Sequence, residues 1–123
     1  MHIFQKLVQI AIIQHLLISK GADINIGNDQ GATPLHIASS QGHTDLIELL
    51  LSRGADINSR DNNGCTPLHL AVRYMNVDTV ELLISRGAYI NVVNYENKTP
   101  LKLANEYYCS EIITILIVNG ARK

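Results

Sequence analysis

The chain has 123 residues, 46% of them hydrophobic and 17% charged, so a packed core is within reach and a disordered tail of this length is excluded. A formal net charge of -1 removes any global electrostatic case for nucleic acid or an anionic membrane. Two cysteines, Cys65 and Cys109, fit neither a metal spacing nor a disulfide-stapled secreted scaffold.

The first fifteen residues are apolar around Ile10–Ile13, but Gln5, Lys6, Gln9, Gln14 and His15 interrupt the run, and no small-residue cleavage site follows. No stretch approaches the ~20 apolar residues of a membrane span. The expectation is an intracellular, cytoplasmic protein that does not enter membranes.

From Leu16 onward the chain repeats itself. Gly-Ala-Thr-Pro-Leu-His begins at Gly31, Gly-Cys-Thr-Pro-Leu-His at Gly64 and Asn-Lys-Thr-Pro-Leu-Lys at Asn97, each 33 residues after the last. A second string keeps the same period: Ser-Lys-Gly-Ala-Asp-Ile-Asn from Ser19, Ser-Arg-Gly-Ala-Asp-Ile-Asn from Ser52 and Ser-Arg-Gly-Ala-Tyr-Ile-Asn from Ser85. A shortened copy, Val-Asn-Gly-Ala, starts at Val118.

Each unit reads as two helices and a turn. Thr33 suits an N-cap, and Pro34 suits the first helical position, where no amide hydrogen is needed. Leu35, Ile37 and Ala38 give a short helix with an apolar face, which Gly42 ends. Leu46, Ile47, Leu49, Leu50 and Leu51 form a second helix with a wide apolar stripe. Gly54 closes it in a left-handed cap. Residues 55–60 are extended, and Asp61-Asn62-Asn63-Gly64 is a turn signal. One such unit cannot bury its own apolar face, so neighbours must stack. The small Ala38, Ala71 and Ala104 allow close approach of the helices.

The two motifs on one period resemble the ankyrin repeat, whose Thr-Pro-Leu-His-x-Ala signature reads here Thr33–Ala38, Thr66–Ala71 and, with Lys102 for His, Thr99–Ala104. The resemblance implies an all-α repeat solenoid: stacked helix-turn-helix units with projecting β-hairpin loops, in one domain over residues 1–123. Its parts are an incomplete N-terminal repeat (1–27), full repeats at 28–60 and 61–93, and a C-terminal repeat at 94–123. The pattern weakens at both ends. Met1 falls inside a first helix, although the second helix over about 10–20 is sound, and Val118 is apolar where earlier units carry Ser52 and Ser85. Gly42-His43 becomes Met75-Asn76 and then Tyr108-Cys109, which puts the geometry of that turn in question.

No catalytic constellation, metal site or cofactor motif outranks a structural role. His36 and His69 share a repeat position and read as residues that tie the Thr-Pro turn to neighbouring backbone; zinc would need three or four close ligands. Cys65 lacks an activating base in the sequence around it. Asp45, Asp78, Glu111, Glu48 and Glu81 fall on the outer face of the second helices, as a solvated surface.

The resemblance further implies protein binding through hairpin tips and the exposed, concave edge of the first helices, in an adaptor, scaffold or inhibitor that is not an enzyme. The alternative is a structural segment of a longer array that positions other domains. Mapped onto this chain, the partner-binding residues are Arg53, Arg73, Tyr74, Arg86, Tyr95, Glu96, Lys98 and Tyr107. Tyr74 and Tyr107 share one repeat position, and Tyr and Arg are frequent interface hot spots. Lys20, Arg53 and Arg86 form a basic ladder at the ends of the second helices, where they also complement the helix dipole. Asn25, Asn58 and Asn91 bridge the hairpin backbone. By the resemblance they are candidates for asparaginyl hydroxylation, each lying eight residues after Leu17, Leu50 or Leu83. The expected partner is a protein of unknown identity, with no nucleic acid and no membrane, and the chain is read as a monomer or weakly self-associating through its incompletely capped ends.

Overall fold

The computed structural model describes residues 24–122. The second helix expected over 10–20, Leu17, Lys20 and most of the incomplete first repeat lie outside them. Among the described residues there are six helices: α1 (Pro34–Gln41), α2 (Thr44–Ser52), α3 (Pro67–Arg73), α4 (Val77–Ser85), α5 (Pro100–Glu106) and α6 (Ser110–Val118). They pair within units as α1/α2, α3/α4 and α5/α6, and each pair stacks on the next.

The first helices start alike because the same chemistry starts them. Thr33, Thr66 and Thr99 are extended N-caps whose hydroxyls accept the backbone N–H three residues on, and Pro occupies the first turn of each helix. In α1 and α3 the histidine returns the favour, its ring accepting from the cap residue's N–H. The second helices have no side-chain cap; each carries an acidic residue in its first turn instead, Asp45, Asp78 or Glu111, where the helix dipole favours negative charge.

Leu35, Leu68 and Leu101 repeat at one position and are all buried, as are Ala38, Ala71 and Ala104 and the second-helix residues Leu50, Leu83 and Leu116. They join one continuous core that runs through all three units. First helices contact one another more extensively than second helices do. Ile37 departs from the expected apolar face. It is largely exposed, although its counterparts Leu70 and Leu103 are buried.

The inter-helix turn keeps one geometry despite losing its glycine. Gly42 is left-handed at φ 73°, and Met75 and Tyr108 at the same repeat position hold φ 56° and 55°. The stack therefore imposes on Met and Tyr a conformation that only glycine adopts without strain.

The projecting loops are tight turns; no β-strand forms among the described residues, so the expected hairpins carry no ladder. Each turn is organised by one side chain instead. Asn28 Oδ1 accepts from the N–H groups of Gln30 and Ala32, Asp61 Oδ1 from Asn63 and Cys65, and Asn94 Oδ1 from Glu96 and Lys98. The turns then join each other by backbone bonds, Asn62 N–H to Gln30 O at 2.9 Å and Tyr95 N–H to Asn63 O at 3.0 Å.

Candidate interaction surface

The residues that repeat are used up by stacking. His36 Nδ1 accepts from Thr33 N–H at 3.1 Å, so its Nε2 bears the proton and donates to the Cys65 carbonyl of the next unit at 2.8 Å. His69 does the same with Thr66 N–H at 3.1 Å and the Lys98 carbonyl at 2.9 Å. Burial pushes the His69 ring below its ordinary pKa, against the opposing pull of the Lys98 carbonyl. Both rings are struts between units, and no cluster of three or more His, Cys, Asp or Glu side chains fit for a metal occurs among the described residues.

The repeated asparagines bridge loop backbone, as the sequence suggested, and they do so between units. Asn25 donates from Nδ2 to Gly54 O at 3.1 Å and accepts from Asp56 N–H at 2.7 Å. Asn58 Oδ1 accepts from Tyr89 N–H at 2.8 Å. Asn91 donates to Gly120 O at 3.3 Å and accepts from Arg122 N–H at 2.9 Å. Asn58 and Asn91 each clip the loop after one second helix to the loop after the next, and Asn25 holds the loop after α2.

Cys65 is buried beneath its turn, and Asn94 Nδ2 donates to its Sγ at 3.6 Å. Burial raises the thiol's pKa above the ordinary range, which leaves it protonated and a poor nucleophile.

The residues that do not repeat stay at the surface. Tyr74 and Tyr107 are the C-caps of α3 and α5, 56% and 40% exposed. Tyr95 rises from the third turn, 68% exposed, with its ring laid against Gly64 of the turn before: a Cβ at Gly64 would sit 2.6 Å from Tyr95 Cδ1. Glu96 beside it is exposed and Arg73, one residue before Tyr74, is half-buried. A turn tip and two first-helix ends thus each present an exposed tyrosine.

The basic residues divide. Lys98 Nζ pairs with Glu106 Oε1 at 3.1 Å, and that hydrogen bond to the carboxylate raises the ammonium pKa. Arg86 belongs to the second-helix layer, where it reaches back to Glu48 Oε1 of the preceding unit at 3.4 Å. Arg53 and Arg86 are both helix C-caps, as the dipole reading of the ladder requires. Lys20 lies outside the described residues.

Three cross-unit links carry no repeat signal in the sequence. Asn76 donates from Nδ2 to the carbonyls of Ser39 and Ser40 at 3.0 and 3.1 Å, holding the open end of α1. Arg60 Nη1 donates to Val93 O at 2.9 Å, and Asn62 Nδ2 to Asp29 O at 3.0 Å. The spacing of these pairs, close to one repeat length, is the only sequence signal that could have found them.

Stacked helix pairs with side-chain-braced turns along one edge, and no reactive constellation among the described residues, define a repeat solenoid that presents a surface. A family model described as ankyrin repeats (3 copies) matches residues 2–94, and the chain belongs to the ankyrin-repeat family. Ankyrin repeats are generally protein–protein interaction modules and are typically non-enzymatic. No curated protein matches the chain. No helix among the described residues is long and apolar enough to cross a membrane.

Proposed function

We propose that the chain is an adaptor, scaffold or inhibitor in the cytoplasm that grips a protein segment along its turn tips and first-helix ends. The contact centres on Arg73, Tyr74, Tyr95, Glu96 and Tyr107. The carrying observation is the exposure of Tyr74, Tyr95 and Tyr107 at two first-helix ends and a turn tip, above a core built of aliphatic side chains. Tyrosines bring large contact area at low entropic cost, and burying one is worth several kcal/mol at a hot spot. Lys98, held by Glu106, contributes orientation more than a free charge, and Arg53 and Arg86 sit at the margin on the second-helix layer.

The test is affinity capture with the wild-type chain and with Tyr74→Ala/Tyr107→Ala, matched by far-ultraviolet circular dichroism. The reading requires at least one partner to be lost from the folded double variant. Retention of every partner refutes it.

A second reading, a segment of a longer array that positions other domains, is supported by the outer face of the last unit. An open groove of about 1010 Å³ there is lined by Leu101, Ile113, Ile117 and Tyr108 together with Lys102 and Arg122. Sedimentation analysis separates the readings: a chain that stays monomeric with that face uncovered favours the first.

A further inference from the structure

The second-helix layer contains a broken rung. At the junction of the first two described units, Arg86 at the C-cap of α4 reaches back to Glu48 on α2. One repeat later the same positions hold Asn119 and Glu81. Asn119 is too short to cross and turns onto its own helix, donating from Nδ2 to Ile115 O at 2.7 Å. Glu81 is exposed and makes no ion pair among the described residues.

The apolar pattern breaks at the same place. Ser52 and Ser85 end their helices by donating to Leu49 O and Leu82 O, both at 2.7 Å. The third unit has Val118 there, 77% exposed. Between α4 and α6 this leaves a groove of about 400 Å³ lined by Glu81, Ile84, Ser85, Thr114, Ile115, Val118 and Asn119. Ile84, Ile115 and Val118 give it an aliphatic wall, and Glu81 adds a carboxylate. A long side chain of the kind that crosses the neighbouring junction, apolar stem over the helices and cation at the carboxylate, would fill it.

We infer that this groove is a second docking site, on the layer opposite the tyrosine surface, for a partner segment that places an Arg or Lys next to an aliphatic side chain. The cation meets Glu81 and the aliphatic group covers Val118, Ile115 and Ile84. The neighbouring carboxylates Asp78 and Glu111, exposed on the same helices, select against an acidic segment. The site is independent of Tyr74 and Tyr107, so either surface can fail alone.

The probe is the capped tripeptide acetyl-Leu-Arg-Leu-amide, titrated into the isotope-labelled chain and followed by amide chemical shifts. Saturable shifts are expected at Glu81, Ile84, Ile115 and Val118, with affinity of roughly millimolar order for so small a contact. Acetyl-Leu-Glu-Leu-amide is expected to leave them unmoved. Glu81→Gln weakens binding by about two- to fivefold, and Val118→Ser by about five- to tenfold. Asn119→Arg supplies the missing rung from within the chain, raises the melting temperature and abolishes the shifts. Absence of saturable shifts at these amides, an equal response to the acidic peptide, or full binding by Asn119→Arg overturns the inference.

Discussion

His69→Ala removes a strut that works in two directions. In the native chain the ring accepts from Thr66 N–H at 3.1 Å and donates to the Lys98 carbonyl at 2.9 Å, so it fixes the start of α3 and joins it to the third turn. Alanine leaves the buried Thr66 amide without its acceptor, at about 1–3 kcal/mol, and an imidazole-sized void, while the Lys98 carbonyl keeps the Asn94 N–H. We expect a loss of about 3–5 kcal/mol, a large share of the roughly 5–15 kcal/mol typical of a domain. Urea unfolding at about pH 7.5, followed by circular dichroism, measures it. Lys102→His is the companion: Thr99 already caps α5, so the new ring adds the reciprocal bond and at most about 1 kcal/mol. A His69→Ala cost below about 1 kcal/mol would show that the unit junction does not rest on this ring.

The same residue sets a pH dependence. Burial lowers the pKa of His69 from its ordinary 6.5, so on acidification the unfolded chain binds the proton first. The stability from neutral His69 is complete above pH 6.5 and is lost as pH falls towards the lowered native value, by at most about 1.4 kcal/mol per pH unit. Unfolding curves across that window should be less steep in pH for His69→Ala. Met75→Gly and Tyr108→Gly, both at exposed left-handed positions, should each raise stability by about 0.5–1 kcal/mol, whereas Asn97→Gly at φ 62° should gain less because Asn tolerates that region. Thermal melts rank the three. Gly64→Ala and Gly87→Ala both strain a positive φ, at 74° and 92°, but only the first meets a neighbour, the Tyr95 ring. Tyr95 resonances should move in Gly64→Ala and stay fixed in Gly87→Ala. Asn58→Ala removes the acceptor of Tyr89 N–H and should cost about 0.5–1.5 kcal/mol by chemical denaturation.

What the sequence made legible was whatever recurs. Thr33, Thr66 and Thr99 announce helix starts because the cap bond is local, three residues long, and the histidines could be read as struts from their place beside those caps. The left-handed turn at Met75 and Tyr108 was not legible: the loss of glycine put its geometry in question, and the structure shows that it is kept. Asn76 and Arg60 were opaque: their partners are carbonyls about a repeat away, and a carbonyl has no sequence signature. The asparagines are legible as backbone bridges from their fixed place in the repeat; that the bond crosses to the next loop is not. For the candidate surface, the shared position of Tyr74 and Tyr107 predicted their common place at helix ends. Arg86 was grouped with them by sequence proximity, yet its side chain pairs on the second-helix layer, where direction and not spacing decides.

The central claim is that binding energy comes from the non-repeating residues on the turn-tip edge. Hydrogen exchange of the chain, alone and with a captured partner, tests it most directly. The account predicts slowed exchange over residues 61–66, 73–75, 94–98 and 106–108, with α2 and the start of α4 unchanged. Protection confined to the outer faces of the second helices, with those four segments exchanging as in the free chain, would contradict it.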